Sequence, residues 1–424
     1  MADYLSMTKP QLLEEQAGLQ QQYDAFAQKG LKLDMSRGKP SPEQLDFSLG
    51  LLEMTDHIDD TGVDARNYGE LEGLPETRRY FASLLGAKPE ETFVAGNSSL
   101  NFMYNMVDLG WRKGFVQGEK PWKDQERIKF LCPSPGYDRH FRVTEVFGFE
   151  LLIVPMTPDG PDMDIVEDLV QDEAVKGIWC IPVYSNPDGY VYSDETVRRL
   201  AKMDTAAGDF RIFWDNAYFA HHFTKDHKTC LNILDESRKA GHEDRPLMFC
   251  STSKMTFAGA GACAMAASVA NIKLASDFLF STTICYDKIN QLRHVRYFAR
   301  EGGLEAHMQR HAAVIAPKFK TVIKTLHAEL DHHGKIARWT EPVGGYFLSL
   351  FTLDGCARRV VELCKQAGVV LTGAGAAYPY GKDPSDNHIR IAPTYPPLDE
   401  LELAAQLLCI CTRMASVEKL LEIA

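Results

Sequence analysis

Apolar residues recur at helical spacing over residues 8–28 (Leu12, Leu13, Leu19, Tyr23, Phe26), and Gly30 closes that segment. The next stretch, LDMSRGKPSPEQLDFS, carries Gly38, Pro40 and Pro42 and predicts a loop. From about residue 75 the pattern alternates. ETRRYFASLLG and SLNFMYNMVDLGW predict helices. The apolar runs in RIKFLCPSPGY, ELLIVPM, IWCIPVYSNPDG, RIFWDNAY and PLMFCSTSK predict strands. MDIVEDLVQDE and SDETVRRLAKMDTAA predict helices between them, the second opened by Ser193 as an N-cap. Short apolar strands alternating with helices imply an α/β fold, a mainly parallel sheet sandwiched by helices.

After residue 305 the pattern changes. HMQRHAAVIAPKFKTVIKTLHAEL predicts a long helix, EPVGGYFLSLF a strand, and VVELCKQAGVVLT a helix and a strand. NHIRIAP predicts another strand, and LDELELAAQLLCICTRMASVEKLLEI a final helix. The expected division is a large domain over 51–305, a smaller α+β domain over 306–424, and a segment, 1–50, that packs on the small domain.

In parallel sheets, ligands bind beyond the carboxyl ends of the strands. Four predicted strand ends carry polar groups: GYDRH after FLCPSP, SNPDG after IWCIPVY, DNAY after RIFW, and STSK after LMFC. Four in succession predict one site assembled from several loops.

Composition narrows the class. The formal charge is −12, which disfavours general nucleic-acid and membrane-surface binding. No run of 18 apolar residues appears, so no membrane-spanning helix is expected, and the N-terminal MADYLSMTKPQLLEEQ lacks a signal-peptide pattern. Ten cysteines occur without a C-x-x-C pair, which fits thiols in a reducing, cytoplasmic setting.

Each polar candidate has a plain role and a chemical one. Lys254 in STSK could be a capping or ion-paired lysine, or an amine nucleophile that forms an imine with a carbonyl group. Ser251 and Ser253 beside it could bind an anion. Asp215 could cap a turn, or serve as a buried carboxylate facing a protonated ring nitrogen, with Tyr218 three residues on. Asn186 could belong to a simple N-P-x-G turn or donate to a phenolate oxygen. In GNSSLN, Asn97 or Ser98 could cap a helix, or the Ser98 and Ser99 hydroxyls could cradle a phosphate there. Arg390 in HIRIAP could pair with an acidic neighbour or clamp a carboxylate. Two patterns compete. Gly259–Ala264 matches G-x-G-x-x-A, the basis of a nicotinamide-dependent dehydrogenase reading. His221, His222 and His227 invite a metal but fit no recognised zinc spacing, so no metal is expected.

N-P-x-G, D-x-x-Y, S-x-S-K and a late arginine, in this order, resemble the fold-type I pyridoxal phosphate enzymes. More narrowly they resemble class I aspartate aminotransferases. SRGKP, GNSSLN and PGYDRH resemble a divergent, mainly bacterial subgroup of these. The resemblance implies that residues 51–305 bind the cofactor, with Lys254 holding it as a Schiff base and shuttling a proton. It implies that Asp215 pairs with the pyridinium nitrogen, that Asn186 and Tyr218 bind the ring oxygen, and that Tyr137 stacks on the ring. Ser98, Ser99 and Ser251 would hold the phosphate, and Tyr68 in NYGELEG would reach the phosphate of a neighbouring subunit. Arg390 would clamp the substrate α-carboxylate and Gly38 would line the substrate pocket, where Asn186 also contributes.

The sequence departs from the family pattern at two points. Ala262 stands where the family has a phosphate-binding arginine, leaving Lys288, Arg293 and Arg296 as candidate replacements. The distal carboxylate of the substrate lacks its usual arginine, leaving Arg37 and Arg139 as candidates. The implied function is amino transfer from aspartate to 2-oxoglutarate by a ping-pong mechanism, in a homodimer with shared active sites. The alternatives are a β-lyase or decarboxylase using the same cofactor, or a non-catalytic regulatory protein on the same fold.

Overall fold

The computed structural model describes residues 3–423. Its centre is an eight-stranded mixed sheet, ordered Thr92–Val94, Cys263–Ala266, Pro246–Ser251, Arg211–Asp215, Val175–Cys180, Lys129–Ser134, Glu150–Thr157 and Gly160–Pro161. The five strands from Pro246–Ser251 to Glu150–Thr157 run parallel. Three of them, Val175–Cys180, Arg211–Asp215 and Pro246–Ser251, are buried along their whole length, as a sheet covered on both faces requires. One face packs Phe93, Phe130, Trp179, Phe213 and Phe249, and the other Val154, Ile178, Ile212, Trp214 and Met248. The alternation of inward residues along each strand produces these two cores.

Three features differ from the sequence expectation. The stretch LDMSRGKPSPEQLDFS, expected as a loop, contains the short helix Pro42–Asp46, opened by Ser41 and Pro42. Cys263–Ala266 is a strand, antiparallel to both its neighbours. The G-x-G-x-x-A run therefore turns into an antiparallel strand instead of opening a helix, which removes the dinucleotide reading. The expected strand EPVGGYFLSLF shortens to Leu348–Thr352. Gly344 and Gly345 lie against the Tyr184 side chain, and Gly345 has a positive φ of 83°, so the chain bends there.

A three-stranded antiparallel sheet, Ala337–Trp339, Leu348–Thr352 and His388–Ile391, lies in the C-terminal third. The helices Lys9–Ala27, Leu304–Leu330 and Leu398–Ile423 contribute to one core with it. The N-terminal stretch is tied to this part: Leu33–Asp34 pairs in parallel with Val369–Val370, and the Tyr23 hydroxyl donates to Leu363 O at 2.9 Å. Ser193 caps its helix as expected, accepting from Thr196 N, although that helix ends at Lys202. Among the described residues no helix is long and apolar enough to cross a membrane. All ten cysteines are free thiols.

Candidate active site

The parallel register sets the carboxyl ends of four strands along one edge, and each predicted motif sits at such an end. Asp215 closes Arg211–Asp215 and is 3% exposed. Its Oδ2 accepts from His140 Nε2 at 3.0 Å, while Oδ1 is buried without any partner. His140 is buried and stacks on Trp179, with ring centroids 4.5 Å apart. Tyr137 meets the other side of His140 edge-on at 4.9 Å. His140 is a site residue that the sequence reading missed. Its signal is its place three residues after Tyr137, one helical turn into Asp138–Val146.

Lys254 follows Pro246–Ser251 in a short 3₁₀ turn. Its Nζ lies 4.8 Å from the centre of the Tyr218 ring and makes no hydrogen bond or ion pair among the described residues. An unpaired amine beside an aromatic face is not a capping or ion-paired lysine. Burial pushes the Tyr218 hydroxyl well above its ordinary pKa, and the Asp215 charge adds to that rise. Asn186, 3% exposed, lies beside Tyr218 and lowers it in part through a side-chain hydrogen bond. Burial lifts Tyr137 to about 12, against the pull of the Lys254 ammonium.

Hydroxyls gather on the far side of Lys254. Ser251 Oγ and Ser253 Oγ both donate to Asn97 O, at 2.9 and 3.0 Å. Ser98 caps the Ser99–Arg112 helix by accepting from Asn101 N at 3.3 Å. GNSSLN and STSK thus meet at a helix N-terminus, where backbone N–H groups and the helix dipole favour an anion. No lysine or arginine head joins this hydrogen-bonded set among the described residues. The three cations considered as replacements are engaged with other groups. Lys288 donates to Asn67 O and Gly69 O at 2.6 and 2.7 Å, Arg293 to Met54 O, and Arg296 to Glu76.

Arg390 sits opposite Ser349 in the small sheet. Its Nη1 donates to Asp138 Oδ1 at 3.1 Å and Asn186 Oδ1 at 3.5 Å, and its Nε to Thr372 Oγ1 at 3.3 Å. Its guanidinium lies 5.0 Å from the Phe347 ring. A Cβ on Gly38 would collide with that ring, so SRGKP reaches the same place and glycine is needed there. Four segments far apart in sequence therefore converge on Arg390.

Three predicted residues are not drawn in. Tyr68 is 77% exposed. Arg37 and Arg139 are exposed, and neither forms an ion pair among the described residues. The three histidines do not converge either. His222 stacks on His227 at 3.4 Å while His221 points to Lys254 O, and no group of three or more His, Cys, Asp or Glu among the described residues could hold a metal. Size alone does not mark the site: a cavity of about 790 Å³ lies between Phe219–His227 and Leu304–Pro317, away from Lys254 and Asp215.

Residues 7–423 match the family model described as Aspartate amino-transferase. The chain is 44% identical, over 94% of its length and 93% of the relative's, to an aspartate aminotransferase of Corynebacterium glutamicum. A crystal structure of an aspartate transaminase from Corynebacterium glutamicum is similar at a TM-score of 0.96 and 42% identity, with 99% of each chain covered. An α-aminoadipate aminotransferase from Thermus thermophilus shares the fold at a TM-score of 0.72 and 20% identity, over 93% of this chain and 94% of that one.

Proposed function

Because the chain belongs to the aspartate amino-transferase family, we propose that it moves the amino group of aspartate to 2-oxoglutarate by ping-pong exchange. The protein is an aminotransferase of fold type I, and its cofactor is pyridoxal phosphate. When bound, this group supplies an aldehyde for an amine and a protonated ring that takes up the electrons of an amino acid's α-carbon.

The donor set fits such a group. A buried carboxylate with one oxygen unpartnered is costly unless a positive or donating group completes it. Asp215 Oδ1 would hold the proton at the ring nitrogen, and His140, donating to Oδ2, keeps the carboxylate oriented. Tyr137 would pack on one face of the ring, and Asn186 and Tyr218 would bind its phenolic oxygen. Ser98, Ser99 and Ser251 would hold the phosphate with the helix N-terminus. Lys254 Nζ is the proposed covalent anchor and, once released by substrate, the base that takes the α-proton. Arg390, supported by Asn186, would bind the α-carboxylate in the pocket lined by Gly38, and Arg37 or Arg139 the distal carboxylate.

We extend the proposal to assembly. The exposed Tyr68 fits a homodimer in which each protomer completes its partner's phosphate site. The division into 1–50, 51–305 and 306–424 and a cytoplasmic location, where ten thiols stay reduced, belong to the same reading.

The observation that carries the proposal is Asp215, anchored through one oxygen and open at the other, on the same strand edge as an unpaired lysine amine. The test is the visible spectrum of purified protein before and after aspartate, together with the products formed. A cofactor band that changes on adding aspartate, with stoichiometric glutamate from 2-oxoglutarate, supports the proposal. Ammonia and pyruvate release without a new amino acid would replace it with a β-lyase, and CO2 release with the amino group retained on the product would replace it with a decarboxylase.

A further inference from the structure

The three residues that begin with Lys254 are held, one after another, by buried ring side chains from separate parts of the chain. Lys254 O accepts from Tyr346 Oη at 3.3 Å and from His221 Nε2 at 3.4 Å. Met255 O accepts from His307 Nε2 at 2.6 Å, and His311 Nε2 lies 3.1 Å from His307 Nε2. Thr256 Oγ1 lies 2.9 Å from His294 Nε2. His221 is 3% exposed, Tyr346 1%, and His294, His307 and His311 are wholly buried. Such a concentration of polar rings in a core is costly unless each atom is satisfied.

The protons can be placed from the partners. Arg310 Nη2 donates to His307 Nδ1 at 2.9 Å, so the His307 proton sits on Nε2 and points at Met255 O. Ser41 N donates to Gln44 Oε1 at 3.0 Å, which fixes the amide. Gln44 Nε2 then donates to His311 Nδ1 at 3.0 Å and to Tyr346 Oη at 3.1 Å. The Tyr346 proton is left for Lys254 O. His294 Nδ1 lies 2.8 Å from Asn290 O and its Nε2 2.9 Å from Thr256 Oγ1, whose hydroxyl also reaches Thr252 O at 3.2 Å. His307 and His311 each accept at Nδ1 and are therefore neutral, with one proton each on Nε2, whereas His221 Nδ1 is buried without a partner. Burial, joined by neighbouring positive charge, pushes His221 and His311 down to about 3, and burial pushes His294 down to about 4, consistent with this.

The links start on distant elements. Ser41 and Gln44 belong to the start of the Pro42–Asp46 helix, His307 and His311 to Leu304–Leu330, and His221 to the turn after Asp215. We propose that His221, His307, His311 and Tyr346 are positioning residues for Lys254, which fix the carbonyls of residues 254 and 255 and so tie the place of Nζ to the N-terminal segment and to the Leu304–Leu330 helix. The inference rests on Lys254 being the covalent anchor. The amine sits at the end of a flexible stem, so a shift of its main chain moves the reacting nitrogen, and a misplacement of about 1 Å can cost on the order of 100-fold in rate.

The test uses purified holoenzyme and the variants Tyr346→Phe, His307→Leu and His307→Gln. Two readouts are followed: the pH midpoint of the cofactor's visible absorbance, which reports the Lys254 nitrogen, and the separate values of kcat and KM. Tyr346→Phe and His307→Leu are expected to shift the midpoint and lower kcat by roughly 10-fold or more with KM for aspartate unchanged. His307→Gln, which keeps an N–H for Met255 O, is expected to regain most of both. A wild-type midpoint and kcat in Tyr346→Phe and His307→Leu, with only Tm lowered, would overturn the proposal. If His307→Leu does not fold, Tyr346→Phe carries the test, since it deletes one oxygen from an otherwise unchanged ring. Borohydride labelling separates the two ideas. An unlabelled Lys254 in the wild type defeats the anchor reading, whereas a labelled Lys254 with an unmoved midpoint in Tyr346→Phe defeats only this one.

Discussion

Around Asp215 the chain builds a buried, charged and stacked environment, with His140 on one oxygen and Trp179 and Tyr137 packed on His140. Around Ser98 and Ser251 it offers hydroxyls and a helix N-terminus, with Ala262 buried nearby at 1% exposure. The first region is completed by its own chain except for one open oxygen. The second holds no cation in its hydrogen bonds among the described residues, and the exposed Tyr68, Arg37 and Arg139 lie outside both. The contrast teaches that chemistry and grip are separable here. The Asp215–Lys254 region is expected to govern the rate, and the hydroxyl region the retention of the cofactor.

Substitutions in the first region should have the largest effects. Lys254→Ala should abolish turnover, by more than about 10⁴-fold, because it removes both the anchor and the base. Cofactor should still bind non-covalently through the second region, as equilibrium dialysis would detect. Asp215→Asn should lower kcat by roughly 10²–10⁴-fold while leaving KM nearly unchanged, in steady-state assays. Equal losses in kcat and in cofactor affinity would erase the distinction between the regions.

Acid should weaken the first region before the second. His221 and His311 are held down at about 3, and His294 at about 4, all chiefly by burial. Each stays neutral in the fold while the unfolded chain takes up a proton below about 6.5. The stability they lend is full above that pH and falls as pH drops toward 4 and 3, by up to about 1.4 kcal/mol per pH unit for each histidine. Tm measured from pH 7.5 to 5 should therefore decline steadily below about 6.5.

Smaller effects sharpen the comparison further. Arg37→Ala or Arg139→Ala should raise KM for aspartate by about 10- to 100-fold, and KM for alanine hardly at all, for whichever residue holds the distal carboxylate. Equal effects on both substrates would remove that residue from the role. Ser251→Ala should weaken cofactor binding by roughly 2- to 10-fold, read by absorbance titration, with kcat of the saturated enzyme unchanged.

The sequence exposed the first region well because parallel strands place their polar ends together. SNPDG, DNAY and STSK could each be assigned to a strand end from a short apolar run that precedes it. His140 was hidden because its partner lies 75 residues away, and its only local trace is its spacing from Tyr137. Cys263–Ala266 was hidden because a run of small residues lacks the β-branched character of a strand and imitates a glycine-rich turn. The basic run DKINQLRHVRYF was legible as charge but not as contact: Lys288 and Arg293 are engaged by main-chain carbonyls, which no sequence pattern records. The histidines around Lys254 were likewise scattered over His221, His294, His307 and His311, and only the fold brings them to three consecutive residues.

The most direct measurement is borohydride reduction of the purified protein followed by peptide mapping. The account predicts that a single pyridoxyl label is recovered on the peptide containing Lys254, and that prior incubation with aspartate removes it. A label on another lysine, or no label from protein that still transfers amino groups, would contradict it.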